Sequence, residues 1–120
     1  MKTLKGFLSA LRRNPIYADG FSNKEDVFGN FAKAEDSDIV ICYAYYDTSQ
    51  CYEGSAMVVY YRKSTKKYYQ VYGSHCSCYG LEDQWVGDEE ITVQELEHRF
   101  EKGYFSDGDI LKNAFQKYLE

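Results

Sequence analysis

Hydrophobic residues near the start of the chain recur at the spacing of an α-helix. They form one stripe, made of Leu4, Phe7, Leu8 and Leu11. This stripe predicts an amphipathic helix over residues 2–13. The helix is expected to end at Asn14–Pro15, because proline disfavours helical backbone in the residue before it.

A second short helix is predicted near residues 24–34, where apolar residues again repeat at helical spacing. Ser22 and Glu25 have the spacing of a capping box, in which two side chains satisfy N–H groups at the start of a helix. Gly29 weakens the pattern, because glycine disfavours a helix interior.

The period changes in the middle of the chain, where β-branched and aromatic residues dominate. Three segments of this composition are predicted to be strands: 38–47, 55–63 and 67–74. The first is apolar on both faces, as expected of a strand that is covered on two sides. The turn-like connections between these segments make an antiparallel meander the simplest topology.

Two further helices are predicted after an acidic loop. Thr92 and Glu95 form a capping box, and Gly103 is expected to close the helix that they begin. The last helix is predicted to start near residues 107–109. Its apolar stripe is the most regular in the chain and consists of Ile110, Leu111, Ala114, Phe115, Tyr118 and Leu119.

Together these elements predict a single α+β domain over residues 1–120. We expect a three-stranded, or slightly larger, antiparallel sheet with the N-terminal helix and the two C-terminal helices packed on one face. No apolar run reaches the ~20 residues of a membrane span, and no secretory signal is recognisable. A cytoplasmic protein is therefore expected. Its cysteines should then be thiols or metal ligands: Cys42, Cys51, Cys76 and Cys78.

Charge is distributed unevenly along the chain. Residues 1–81 hold ten Lys and Arg against eight Asp and Glu, a net of +2, whereas residues 82–120 hold four against eleven, a net of −7. An acidic half repels phosphate backbones, which disfavours direct nucleic-acid binding. It favours a basic partner, although an acidic surface that contacts only water explains the same pattern.

Side chains that could bind a metal or a ligand, or take part in catalysis, are concentrated in Gly73–Trp85. Gly73 and Gly80 flank the central run of this segment and allow the backbone to turn sharply or to approach another group closely. The residues predicted to bind a partner or ligand are His75, Cys76, Cys78, Tyr79, Glu82, Gln84 and Trp85.

Three interpretations of this segment fit the sequence. His75, Cys76 and Cys78 are side-chain types that bind zinc, although C-x-C spacing is not typical of zinc sites. A cysteine nucleophile with His75 or His98 as its base is the second interpretation, but adjacent residues seldom point at one another. The third is structural, with thiols packed as small apolar groups and Trp85 anchoring the acidic loop.

The predicted strands are rich in tyrosine, namely Tyr43, Tyr45, Tyr46, Tyr60, Tyr61, Tyr68, Tyr69 and Tyr72. These side chains cannot all be interior, because a phenol hydroxyl needs a polar partner. An exposed tyrosine face suits protein recognition or the stacking of a nucleotide. Ordinary cross-strand packing is the alternative.

Two runs of residues, YEGSAMVVY at 52–60 and YQVYGSHCSCYGLEDQW at 69–85, resemble an uncharacterised family of small bacteriophage and prophage proteins with a GSHCSC-x-GLE-x-QW core. The resemblance covers about residues 38–100. It implies a phage-encoded protein acting in the cytoplasm of the bacterial host, and it carries over no catalytic roles. Small acidic phage proteins often inhibit host machinery, including defence systems.

The leading hypothesis is therefore a non-enzymatic binding protein that inhibits a host protein by protein–protein interaction, as a host-takeover or anti-defence factor. The absence of a recognisable catalytic motif favours this over an enzyme. The alternative is a small thiol- or zinc-dependent enzyme, or a protein that sequesters a nucleotide, using the Gly73–Trp85 segment.

Overall fold

The computed structural model describes residues 2–48, 53–76, 80–102 and 110–120. The expected closure of a helix at Gly103 and the start of the last helix near 107–109 lie outside these ranges. None of the described helices is long and apolar enough to cross a membrane. In chain order the elements are α1 (Leu4–Arg13), β1 (Ile16–Asp19), α2 (Lys24–Asn30), β2 (Ile39–Asp47), β3 (Gly54–Arg62), β4 (Lys67–His75), β5 (Glu89–Glu90), α3 (Val93–Lys102) and α4 (Ile110–Leu119).

The sheet is mixed and has five strands in the order β1-β2-β3-β4-β5. The α+β class is confirmed, and β2, β3 and β4 form the predicted antiparallel meander with ends within one residue of those expected. A purely antiparallel sheet was the wrong expectation, because β1 runs parallel to β2. The two added strands have four and two residues, too short to show a period in the sequence.

Both faces of the sheet are covered, which corrects the prediction that helices pack on one face. On the first face the strands pack against residues of α1, α3 and α4. On the second face they pack against Val27 and Phe28 of α2 and against Leu81. A parallel strand pair needs a crossover connection, and α2 lies in the crossover between β1 and β2. This connection therefore places apolar residues over the second face.

A β-bulge at Cys42 sets the direction of the side chains in β2. The register with β3 shifts between Ile41 and Tyr43. Cys42 and Tyr43 both belong to the core of the first face, whereas Ile41 and Ala44 belong to the core of the second. One extra residue in the strand therefore resets the alternation.

α2 starts at Lys24, as predicted, but it ends at Asn30 and not near residue 34, and its N-cap lies one residue after the predicted one. Asn23, and not Ser22, is the N-cap, and its Oδ1 accepts a hydrogen bond from the Asp26 N–H group at 2.8 Å. The Asp26 side chain accepts from the N–H group of Ser22, the residue before the N-cap, at 2.9 Å. The box predicted at α3 is correct in its first part, since the Glu95 N–H group donates to Thr92 Oγ1 at 3.1 Å.

Candidate functional site

β4 runs unbroken through Gly73 and remains paired with β3 as far as His75. The glycine is required by close packing and not by a turn. A Cβ atom at this position would lie 2.8 Å from Leu81 Cδ2 and 3.0 Å from Phe31 Cε1. Residues 80–85, which come after β4 in the chain, therefore pack directly against the strand.

We call residues 80–85 the return segment. Leu81 is only 1% exposed within the core of the second face. The Asp83 N–H group donates to the main-chain oxygen of Phe31 at 3.3 Å. Glu82 lies on the outside, where its Oε2 accepts from the Gly80 N–H group at 3.0 Å. Apolar packing and one main-chain hydrogen bond thus hold the return segment against the end of α2.

The Gln84 side chain imitates a neighbouring strand. Its Oε1 accepts from the Ser74 N–H group at 2.8 Å, and its Nε2 donates to the Ser74 oxygen at 2.7 Å. The same Nε2 donates to the Gly80 oxygen at 2.9 Å. Gln84 was predicted as a binding residue, but its amide group instead holds the return segment at the edge of β4.

Trp85 anchors the return segment on the second face of the sheet. Its ring centre lies 5.0 Å from that of Tyr60, 5.5 Å from that of Phe31 and 5.7 Å from that of Phe28. Lys33 Nζ lies 5.4 Å from the indole ring. Trp85 is half-buried and turned inward, as the structural interpretation of the segment predicts.

The substitution Gly73→Ala tests this packing. We expect it to lower the free energy of unfolding by about 1–3 kcal/mol, because the new methyl group would push Leu81 and Phe31 out of contact. Gly29→Ala is the matched control, because a Cβ there meets nothing within 4 Å and alanine favours a helix. It should be neutral or stabilise by about 0.5 kcal/mol. Urea denaturation followed by circular dichroism measures both, and equal effects would contradict the packing.

His75 has both ring nitrogens engaged. Nδ1 lies 3.0 Å from the main-chain oxygen of Cys76, and Nε2 lies 2.6 Å from the hydroxyl oxygen of Tyr46. A carbonyl oxygen only accepts, so Nδ1 must donate. In the neutral ring Nε2 then accepts from the Tyr46 hydroxyl group. A metal ion or a substrate proton at Nε2 would have to displace Tyr46.

The environment of Tyr46 favours this donor role. Burial, followed by the charge of Glu82, raises the pKa of Tyr46 above its usual value of 10. The Tyr46 and His75 rings meet edge to face, with their centres 5.8 Å apart. Gly54 lies opposite His75 in the sheet, and a side chain there would collide with the imidazole.

A cleft of about 360 Å³ opens at the edge of the sheet where β2 and β4 end and β3 begins. Two carboxylates, an imidazole, a thiol and two hydroxyl groups face it. It is lined by Asp47, Glu53, Gly54, Ser55, Ser74, His75 and Cys76. Of the predicted binding residues, His75 and Cys76 lie at this cleft, whereas Gln84 and Trp85 support the return segment.

The thiols of Cys42 and Cys76 lie in opposite environments. Cys42 is fully buried, and burial raises the pKa of its thiol to about 12. Cys76 is exposed. Cys51, Cys78 and Tyr79 lie outside the described residues, so the zinc set of His75, Cys76 and Cys78 stays a prediction. Within the described ranges, no three His, Cys, Asp or Glu side chains are placed to share one metal ion.

Most tyrosines of the sheet are not on its surface. Tyr43, Tyr45, Tyr60 and Tyr69 are buried, and three more are half-buried. Tyr72 is the exposed one among the eight, at 47%. Cross-strand packing, including the stacked pair Tyr60–Tyr69 with ring centres 5.5 Å apart, explains the majority.

Sequence reasoning missed Tyr46, Asp47 and Glu53 as neighbours of His75. These residues lie in or beside predicted strands, and nothing in their local sequence marks them. The predicted meander is the one feature of the sequence that could have placed these residues near His75. Pairing the segments 38–47, 55–63 and 67–74 in antiparallel order brings the end of the first and the start of the second beside the end of the third. Comparison of the chain with protein-family models, with curated proteins and with solved structures finds no match.

Proposed function

We propose that this protein is a small acidic binding protein that docks on a host bacterial protein through the cleft at the ends of β2, β3 and β4. The observation that carries the proposal is that the described residues of the Gly73–Trp85 segment, 73–76 and 80–85, divide into a packed set and an exposed set. Leu81 and Trp85 are packed into the second face of the sheet, while Cys76 and Glu82 are exposed. Because the packed residues already hold the exposed ones in place, binding a partner costs little additional conformational entropy.

The charge of the cleft favours a basic partner. Asp47 and Glu53 line it, and Glu82 lies exposed on the neighbouring return segment. Negative charge attracts basic side chains and repels phosphate groups. The resemblance to small phage proteins supports a partner in the bacterial host and, within the proposal, an inhibitory role against host machinery.

A thiol-dependent site is the second candidate, favoured by the exposed Cys76 beside His75. Its weakness is that the His75 nitrogens already contact Cys76 and Tyr46. A general base for the thiol would require Tyr46 to release Nε2 first. The binding proposal needs no such rearrangement.

Capture from bacterial lysate tests the proposed function. The tagged protein should retain a partner at about one copy per chain, and Glu53→Lys should lose it, because the substitution reverses a charge at the cleft. Glu97→Lys, an exposed site on α3, is the matched control and should retain the partner. The proposal fails if no stoichiometric partner is recovered, or if both variants behave alike.

The two described thiols should react very differently. In a variant with Cys51→Ser and Cys78→Ser, we expect a disulfide reagent to modify Cys76 rapidly and Cys42 only on unfolding, because burial keeps the Cys42 thiol protonated. Mass spectrometry after tryptic digestion identifies the modified residue. A reaction of Cys76 that is much faster at neutral pH than that of a small free thiol would favour the thiol-dependent candidate instead.

A further inference from the structure

Three depressions adjoin one another along β4. Their volumes are about 360, 270 and 160 Å³. The first and second share Ser55 and Ser74, and the second and third share Tyr72 and Gln84. The three depressions thus follow one another from the cleft at the end of β4 towards β5, and we call them together the β4 furrow. Its shape suits an extended segment of polypeptide more than a compact small molecule.

Exposed apolar side chains are concentrated at one end of the β4 furrow. Within the described part of the chain, three large apolar side chains are exposed, namely Tyr72 at 47%, Val86 at 83% and Leu119 at 46%. Tyr72 and Val86 both line the third depression. Grouped apolar exposure of this kind marks interaction surfaces, in which tyrosine often contributes much of the binding energy.

Tyr72 is held in position without being buried. Arg99 Nη1 donates to the Tyr72 hydroxyl oxygen at 2.6 Å, and the guanidinium carbon lies 5.8 Å from the ring centre. The same guanidinium group donates to Gln70, so its position is itself fixed. A partner side chain that packs on the Tyr72 ring would thus meet a surface that is already ordered.

The main chain of β4 also faces the furrow at Tyr72. On the outer side of β4, β5 pairs with Gln70 and the Gln84 amide takes the N–H and C=O groups of Ser74. Main-chain groups of alternate residues point to the same side of a strand, so those of Tyr72 lie between these two attachments. An extended peptide has N–H and C=O groups to place there, as in the addition of a strand to a sheet edge.

The opposite end of the furrow carries two carboxylates, whereas the Tyr72 end carries one, Glu89, which accepts a hydrogen bond from Gln70 Nε2 at 3.0 Å. Asp47 and Glu53 line the first depression, which is separated from Tyr72 by about three residues of β4, or ~10 Å. We propose that the β4 furrow binds an extended segment of a partner protein that places an apolar side chain between Tyr72 and Val86 and a basic side chain two to four positions away, towards Asp47 and Glu53. This names the chemistry of the partner and rests on the proposed function.

Selection of a displayed library of random linear peptides on the purified protein tests the inference. We expect enrichment of peptides with a basic and an apolar residue two to four positions apart. In fluorescence anisotropy with a synthetic enriched peptide, Tyr72→Ser and Glu53→Lys should each weaken binding by about tenfold or more. Leu119→Ser and Glu97→Lys are the matched controls and should change it less than about twofold.

Several results would overturn the inference. These are no enrichment over an unrelated acidic protein, enrichment of acidic peptides, or affinities that neither furrow variant changes. Sedimentation analysis tests whether a second copy of the chain occupies the furrow. A dimer that becomes monomeric on Tyr72→Ser would show this and would overturn the inference. If lysate capture succeeds and peptide selection fails, the proposed docking at the cleft stands, but the furrow does not bind an extended segment. If selection succeeds and capture fails, the furrow stands without a host target.

Discussion

Replacing Trp85 with alanine is expected to lower the free energy of unfolding by about 3 kcal/mol, the lower end of the range for truncating a large aromatic side chain in a core. The lower end applies because Trp85 is half-buried. The substitution removes contacts with the rings of Phe28, Phe31 and Tyr60 at once. It also releases the return segment, because Trp85 joins that segment to the second face of the sheet.

Two variants show whether the loss comes from this anchor. Trp85→Phe keeps an aromatic ring in the same place and should recover at least half of the lost stability. Val86→Ala, at the next position, should change stability by less than about 0.5 kcal/mol, because Val86 is 83% exposed. Urea denaturation followed by circular dichroism suits all three, since the signal does not depend on tryptophan. A Trp85→Ala effect as small as that of Val86→Ala would contradict the anchor.

Removing the Arg62 guanidinium group is expected to cost about 2–3 kcal/mol, because it leaves three carboxylates without their shared partner. Arg62 contacts Asp36 at 3.0 Å, Asp38 at 3.3 Å and Asp88 at 2.7 Å, and its side chain is 17% exposed. The Tyr60 hydroxyl group also donates to Asp88. This network ties the loop before β2 and the loop before β5 to the end of β3.

Arg62→Met is the informative variant, since it keeps the length of the side chain and removes the charge. Arg62→Lys should fall between it and the natural protein, because an ammonium group cannot reproduce the forked contacts. Lys63→Met is the control for loss of one positive charge at the same hairpin and should cost less than about 0.5 kcal/mol. Urea denaturation at neutral pH provides the comparison. If Lys63→Met and Arg62→Met destabilise equally, net charge and not the network is responsible.

The same network makes stability depend on pH in a defined direction. A hydrogen bond from Arg62 lowers the pKa of Asp36, and hydrogen bonds from Ser64 and then Arg62 lower that of Asp38. Burial opposes the effect at Asp88, but hydrogen bonds from Arg62 and Tyr60 still lower its pKa. A lowered carboxyl pKa contributes stability above the ordinary value of 3.8 and loses it as the pH falls through the folded-state value. The difference between the natural protein and Arg62→Met should therefore shrink below about pH 4.

The elements that were predicted well all have a strong signal within their own local sequence. Each of the central strands carries a run of β-branched and aromatic residues, and α3 carries both its cap and its apolar stripe within a few residues. Ser22 and Asn23 are both good N-cap residues, so the local sequence does not choose between them, and only the packed backbone selects Asn23. β1 and β5 were missed because strands this short are defined by their neighbours and not by their own composition.

The candidate site also depends partly on local sequence and partly on the fold. Residue types alone mark the segment 73–85 as a candidate site, because it combines two thiols, an imidazole and a tryptophan. The direction of its side chains does not follow. Gly73 was expected to allow a sharp turn or a close approach, and the close approach of Leu81 and Phe31 is the reason for it. By residue type His75 is a candidate metal ligand or base, but its ring contacts Tyr46, a residue 29 positions away.

The α+β class, the three central strands and the concentration of reactive side chains around the end of β4 follow from the sequence, because hydrophobic period, turn residues and side-chain type are local properties of a chain. Tertiary packing alone determined that β1 joins in parallel, that both faces of the sheet are covered, that Tyr46 contacts His75 and that Asp47 and Glu53 line the same cleft as His75. It also decided that Trp85 faces inward while Tyr72 stays exposed. These outcomes depend on which strands pair and which loops pack across them, and contacts between residues far apart leave no repeating signal in the local sequence.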